Sequence, residues 1–459
     1  MSFDVIVVGA GMCGAVVAGR LSEAGARCAL LEAGERAPEP VAARTSDFTR
    51  ETAPLTKVDP HEWAFRAKGR PIEWMRVRAA GGRTLLWGGW MDRPEARNLR
   101  DARAMGHPWP LSFARLEQLV RRVEPRLSVQ TGRVGPLVRS LRSAGVAALP
   151  KRAAVGTGGQ RPLYALDVQH TATLLPRTVA LRAVLDASGA TRGVECVDPA
   201  TRRVYTLDAR AVVFAASAVE SARLLAATDG LELPRLGQGL HEHAYCGAIA
   251  IVPIPPLDTE AGPLERGARI PVERCESGLS FSVEIRGPIG LATLDDEDIG
   301  LLGFTRAAAE QHSFYSVFAI GEIPPSPRRR VRFDASSLDS LGRPIPVFEL
   351  PALSPDETTL ARAMRSRCHA LAKVLGGSKG LTVPIRDPRD RVLGHEGGTC
   401  GMGTRQSGAV TDCDGAVFGA RGLYVADAGR MPTALDRHPS LTVAALALGT
   451  AERALEDAR

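Results

Sequence analysis

Aromatic side chains make up only 5% of the 459 residues. Lysine is scarce too, and arginine supplies most of the positive charge behind a net charge of +7. A nucleic-acid surface needs basic tracts interleaved with aromatics on which bases stack, and no such tract occurs. Clusters such as Arg328-Arg329-Arg330 therefore read as solvated faces, and no nucleic-acid partner is expected. No apolar run approaches the ~18 residues of a membrane span. No basic, then apolar leader precedes the first strand at Asp4, so no secretory signal is expected and the chain reads as cytoplasmic. None of the eight cysteines stands in a CxxC pair. They read as small buried hydrophobes with free thiols, and no metal site is expected. No repeat of solenoid period occurs.

What is present begins with the first stretch, Asp4 to Glu32. An apolar, β-rich run (Val5 to Val8) meets Gly9, Gly11 and Gly14 in the spacing GxGxxG. A helical stretch follows from Ala15 to Ala24, then Gly25, then a second apolar run ending on Glu32. This strand, glycine turn, helix and strand form the context that makes GxGxxG a dinucleotide-binding fingerprint. Gly9 permits the tight turn, Gly11 lets backbone N–H groups approach a pyrophosphate, and Gly14 lets helix and strand pack closely. Glu32 lies where an acidic side chain accepts hydrogen bonds from an unphosphorylated ribose. The fingerprint alone leaves FAD and NAD open.

Further along, Ala79 to Glu95 carries two double glycines, Gly81-Gly82 and Gly88-Gly89, around Thr84 and Trp87. Residues 111–148 show helical periodicity in Leu111, Leu116, Leu119, Val120 and Val123. From residue 160 short β-rich runs alternate with turn residues and end in a buried strand, Ala211 to Ser217, before the helix AVESARLLAA. Residues 251–350 switch to short alternating strands punctuated by Pro and Gly, as in an antiparallel sheet covered on one side. Residues 355–376 have the acidic first turn and terminal Gly of a helix. The end of the chain returns to glycine-rich loops beside apolar elements. HEGGTCGMG comes first, then GLYVADAGRMP as an apolar strand ending in Asp427, then a helix starting near Pro439.

The GxGxxG turn, GGRTLLWGG, HEGGTCGMG and ADAGRMPTALDRHPSLT, in that order, resemble the glucose-methanol-choline (GMC) oxidoreductase family, closest in their motifs to its pyranose-oxidase-like bacterial branch. The resemblance covers both ends of the chain and the run from Gly193 to Leu225. It is weak through residues 100–150 and 251–380. It implies an α/β fold: a Rossmann-like FAD-binding domain assembled from discontinuous segments (1–100, 151–250 and 390–459), a helical connecting segment (101–150), and an inserted α+β substrate domain on an antiparallel sheet (251–389). It implies FAD as cofactor. Gly9, Gly11, Gly14 and Glu32 would hold the ADP half, with Val179 near the adenine. Gly81, Gly82 and Thr84 would line flavin and pyrophosphate, Asp427 and Ala428 the ribityl region, and His438 and Pro439 the ring.

His395 matches the family's catalytic histidine and His438 its second site. Oxidising an alcohol requires a group that accepts the hydroxyl proton while hydride leaves the carbon, and a second that orients the oxygen; a neutral imidazole suits the first task. Which histidine is the base stays open. His241 and His243 read as structural residues near the flavin edge, and Glu322 as a candidate polar contact in the substrate domain. Leu86 precedes Trp87 where relatives can carry a histidine that bonds to flavin, so non-covalent FAD is expected. The implied partners are a small-molecule alcohol (sugar, polyol, glycoside or secondary metabolite) and an acceptor, either O2 or a redox partner. A desaturase, lyase or isomerase on the same fold is the alternative.

Overall fold

The computed structural model describes residues 2–36, 63–69, 72–156, 163–168, 171–254, 264–294, 296–377, 380–386 and 392–458. Most of the loop-like stretch after Glu32 lies outside these, as do His61 and His170. The N-terminal unit is present as expected: β1 (Ser2–Val8), α1 (Met12–Glu23) and β2 (Cys28–Leu31). The helix starts three residues before Ala15, because Gly11 is its N-cap. Gly9 has φ +103°, and a Cβ on Gly14 would stand 1.8 Å from the Gly9 carbonyl oxygen. Only a residue without a side chain lets the helix sit on its own entry turn.

β3 (Thr173–Leu175), β4 (Val179–Leu185), β5 (Thr191–Val197) and β6 (Val204–Phe214) join this unit in one sheet of order β3-β2-β1-β6-β5-β4. β3, β2, β1 and β6 run parallel, while β4 and β5 pair antiparallel. The pairing of β5 with β6 ends at Asp208. Further along β6, Val212–Phe214 pair in parallel with the strand Leu423–Val425. The last quarter of the chain thus completes the sheet that the first eight residues begin. That strand stops two residues short of Asp427, which instead caps a turn of 3₁₀ helix. β2, most of β1 and the end of β6 from Ala211 to Phe214 are buried on both faces, which explains their unbroken apolar runs. α2 (Phe113–Val123) buries Leu116, Leu119, Val120 and Val123 in one core with α1 and the C-terminal helix Ser440–Ala458.

The second sheet is wholly antiparallel: β7 (His243–Val252), β8 (Gly267–Arg274), β9 (Ser280–Gly290), β10 (Ser313–Glu322) and β11 (Leu381–Arg386), in the order β11-β7-β10-β9-β8, with Leu149–Pro150 on the outer edge of β8. Its strands alternate. Ala244, Cys246, Ala248, Val283, Ile285, Val317 and Ala319 face α3 (Pro136–Ser143) and α5 (Pro355–Gly376). The other face looks into a cavity. Between β9 and β10 an excursion containing α4 (Asp296–Leu301) folds over a small core of Ile289, Leu291, Ile299 and Phe314. All eight cysteines are free thiols, and Cys246 and Cys368 bring their Sγ atoms to 3.9 Å within the second core. Among the described residues no helix is long and apolar enough to cross a membrane.

Candidate active site

A cavity of about 1190 Å³ runs from the N-terminal glycine turn to the inner face of the antiparallel sheet. Gly9, Gly11, Glu32, Gly82, Thr84, Val179, His395, Asp427, Ala428, His438 and Pro439 all line it. Residues scattered from one end of the sequence to the other are thereby brought to one wall. Gly14 and Gly81 are not on that wall. Gly14 serves the helix–turn contact. Gly81, at φ +108°, is required by Tyr164, whose ring would lie 2.1 Å from a Cβ there. Val179 is the first residue of β4.

The glycine end fits a dinucleotide. Nothing lies within 4 Å of a Cβ placed on Gly11, so the backbone there faces open space. The Glu32 carboxylate accepts N–H bonds from Ala10 (3.2 Å) and Gly34 (2.9 Å), which leaves acceptor sites for a ribose. The second glycine loop abuts the first, since a Cβ on Gly82 would meet Gly11 Cα at 3.0 Å. Asp427 is buried, accepts from the Gly429 N–H (2.8 Å) and from the Ser221 hydroxyl, and burial pushes its carboxyl up to about 6.

The histidine end is built on three carboxylates, Glu242, Glu396 and Glu284, of which only Glu284 stands in no motif-like stretch of the sequence. Glu242 follows His241 at the entrance to β7. One of its oxygens accepts from the His243 N–H (2.7 Å) and Tyr245 Oη (2.6 Å), the other from the N–H groups of Gly394 (2.6 Å) and His395 (2.7 Å). Burial opposes its charge, but these donors and the neighbouring imidazoles hold its carboxyl down at about 2. On the other side of the same loop, Arg83 pairs with buried Glu396 (2.8 and 3.0 Å) and donates to the Gly394 carbonyl. Residues 394–396 are gripped from both sides. His395 Nδ1 lies 3.3 Å from His243 Nδ1, and His243 Nε2 lies 3.0 Å from the Leu435 carbonyl. His395 Nε2 has no hydrogen-bond partner among the described residues. Burial above all, then the fields of His243, His438 and Arg83, hold the His395 imidazole well below its ordinary range.

His438 stands with its ring centroid 5.4 Å from that of His395 and stacks on Trp90 at 5.7 Å. Its Nε2 bonds to Glu284 on β9 at 2.6 Å. Glu284 also accepts from Arg286 (2.9 Å). Although burial pushes its carboxyl up, Arg286, His438 and Lys151 hold it down at about 2.

His241 is buried behind the cavity, with Nε2 3.0 Å from the Met431 carbonyl, and its backbone pairs with Gly397 in both directions. These bonds tie the residue before Glu242 to the Met431 and Gly397 loops. Glu322 does not line the cavity. It is buried beneath it and accepts the Leu435 N–H at 3.1 Å. Glu242, His243 and His395 bring ligand-type atoms within 4.8 Å of one another, but the Glu242 carboxylate already accepts four hydrogen bonds and has no lone pair to spare for an ion.

Residues 327–447 match the GMC oxidoreductase C-terminal family. The chain is similar over 99% of its length to paromamine 6'-oxidase of Streptomyces fradiae, at 26% identity and covering 92% of that protein. It is similar over 60% of its length to C-glycoside 3-oxidase of Microbacterium trichothecenolyticum, at 29% identity over 52% of that protein. In three dimensions it resembles the crystal structure of pyridoxine 4-oxidase from Mesorbium loti, with a TM-score of 0.70 and 20% identity, covering 98% of this chain and 99% of that one.

Proposed function

We propose that the chain is a GMC-type oxidoreductase, an FAD-dependent enzyme oxidising a CH–OH group of a hydroxylated small molecule: a sugar, polyol, glycoside or related secondary metabolite. The observation that carries this reading is the sharing of one cavity by the dinucleotide turn, Glu32 and two imidazoles 5.4 Å apart. The relatives support the substrate class, being named for oxidation of paromamine and of a C-glycoside. The segments 1–100, 151–242 and 390–459 would form the FAD-binding domain and 243–389 the substrate domain, the boundary moving from 250 because β7 (His243–Val252) pairs in the antiparallel sheet. Gly9, Gly11 and Glu32 would hold the ADP half beside Val179. Gly82, Thr84, Asp427, Ala428 and Pro439 would line the rest. When bound, the flavin would accept the hydride from the substrate carbon.

The chain's own residues would do the remainder. His395, kept uncharged by burial, would take the hydroxyl proton on Nε2, leaving the substrate a carbonyl. His438, held by Glu284, would orient the substrate oxygen and bear its developing charge. Glu242 and the Arg83–Glu396 pair would hold the base in place. The electrons would leave to O2 or to a redox partner. The test is His395→Ala: it should keep its flavin absorbance and lose anaerobic reduction by alcohol by ~10²–10⁴-fold, the worth of a general base. Reduction near the wild-type rate would contradict the role. Leu86, an aliphatic side chain only 4% exposed beside Trp87, offers no bond to a flavin. Acid precipitation should therefore leave the yellow colour in the supernatant; colour in the pellet would contradict this.

A further inference from the structure

The cavity-facing rows of the antiparallel sheet change character with distance from the histidines. Cross-strand register fixes these rows. The first joins Gly247, Phe318 and Glu284, and Glu284 touches His438. The second joins Val383, Ile249, Ser316 and Arg286. The third joins Ile251, Phe314 and Ile289. Along β10, Phe318 to Phe314 is four residues, or about 13 Å. The first two rows hold the ion pair and the hydroxyl of Ser316. The third is purely apolar. Beyond it the excursion adds Leu294, Leu301 and Leu302 to the wall, with Asp298 as its charged member, and Val383 and Pro384 of β11 line the cavity as well. Leu301, at the end of α4, is 80% exposed, although Ile299 two residues earlier is buried in the excursion's own core. A leucine left in water on a cavity wall, continuous with Phe314 and Ile289, gains from any apolar group laid across it.

We propose that this wall is a second subsite, and that the substrate is a hydroxylated ring joined to an apolar group reaching roughly 10–13 Å from the reacting carbon; the alkyl and aryl glycosides are the simplest such class. This rests on the alcohol-oxidation reading of the same cavity. Glu284, Arg286 and Ser316 would face the hydroxylated ring, and Ile289, Phe314, Leu294, Leu301 and Leu302 the apolar arm.

The test uses the flavin-loaded full chain and calorimetric titration with methyl and hexyl glycosides of glucose, galactose and mannose. Flavin bleaching is read anaerobically in parallel. At about fourfold per buried methylene, the hexyl compound should bind at least tenfold more tightly than its methyl partner for one or more sugars. The double variant Leu301→Asp, Leu302→Asp should shrink that hexyl-to-methyl ratio by roughly tenfold. Equal affinity of methyl and hexyl partners for every sugar, or a ratio untouched by the double variant, would overturn the subsite. Tight, variant-sensitive hexyl binding without bleaching by any sugar or polyol would leave the subsite standing and count against alcohol oxidation. Bleaching indifferent to alkyl length would count against the subsite alone.

Discussion

At the scale of single residues, Glu242 is the side chain on which the site's geometry depends most. Four donors converge on its carboxylate, whose side chain is 11% exposed, two of them the backbone N–H groups of Gly394 and His395. Glu242→Ala leaves those donors without their acceptor, at a cost of about 1–3 kcal/mol. A displacement of His395 by even ~1 Å should slow flavin reduction on the order of 100-fold. Rapid-mixing reduction and a melting curve would check both. The pH profile follows from the direction of the His395 shift. Its imidazole sits well below the ordinary 6.5, so it loses activity only when protonated, and the acid limb of the flavin-reduction rate should fall clearly below pH 6.5. His395 and His438 are legible in the sequence because each stands in a short motif. Glu242 shows only as the acid between two histidines in LHEH, with nothing to tell what it holds, and Glu284 is not legible at all. Glu284 lies 154 residues from His438 and looks like any polar residue on an alternating strand until the sheet folds against the nucleotide domain.

Among secondary-structure elements, the legible ones are those whose local signals agree: the glycine-turn unit, the capped helix α5 with its Ser354/Glu357 box, and the alternating strands β9 and β10. Boundaries slip where glycine belongs to both turn and helix, as at Met12. Glu32, which we propose holds the ribose, directly follows β2; Glu32→Ala should release flavin more readily, while molecules that retain it should be reduced at nearly the wild-type rate, and gel filtration followed by reduction of the retained fraction separates the two. Glu322, the last residue of β10, resembles a substrate contact in the sequence because nothing local shows which way a strand end faces. Its burial, with the field of Asp436 adding to it, raises the carboxyl from 4.5 to about 8. The folded protein then holds a proton that the unfolded chain releases, so stability should fall as pH rises from about 4.5 to 8, by about 1.4 kcal/mol per unit at most. Glu322→Gln should flatten this slope in unfolding curves taken at about pH 5.5 and about pH 8.5. An unchanged slope would contradict the assignment.

For the molecule as a whole, the discontinuous sheet is the most distant inference that the sequence supports. Motifs at opposite ends of the chain require Leu423–Val425 to lie in the sheet that β1 begins, and it does. The shape of the cavity between the two sheets is not legible, because it depends on the register of β7, β9 and β10 and on the excursion that carries α4. We propose that residues of this cavity take the proton, and a flavin bound there the hydride, of an alcohol. Mixing the purified flavoprotein anaerobically with a panel of sugars, glycosides and polyols, and following the oxidised flavin band, tests it most directly. The band should bleach with at least one alcohol. A band that none of them changes, in protein that dithionite still bleaches, would contradict the account.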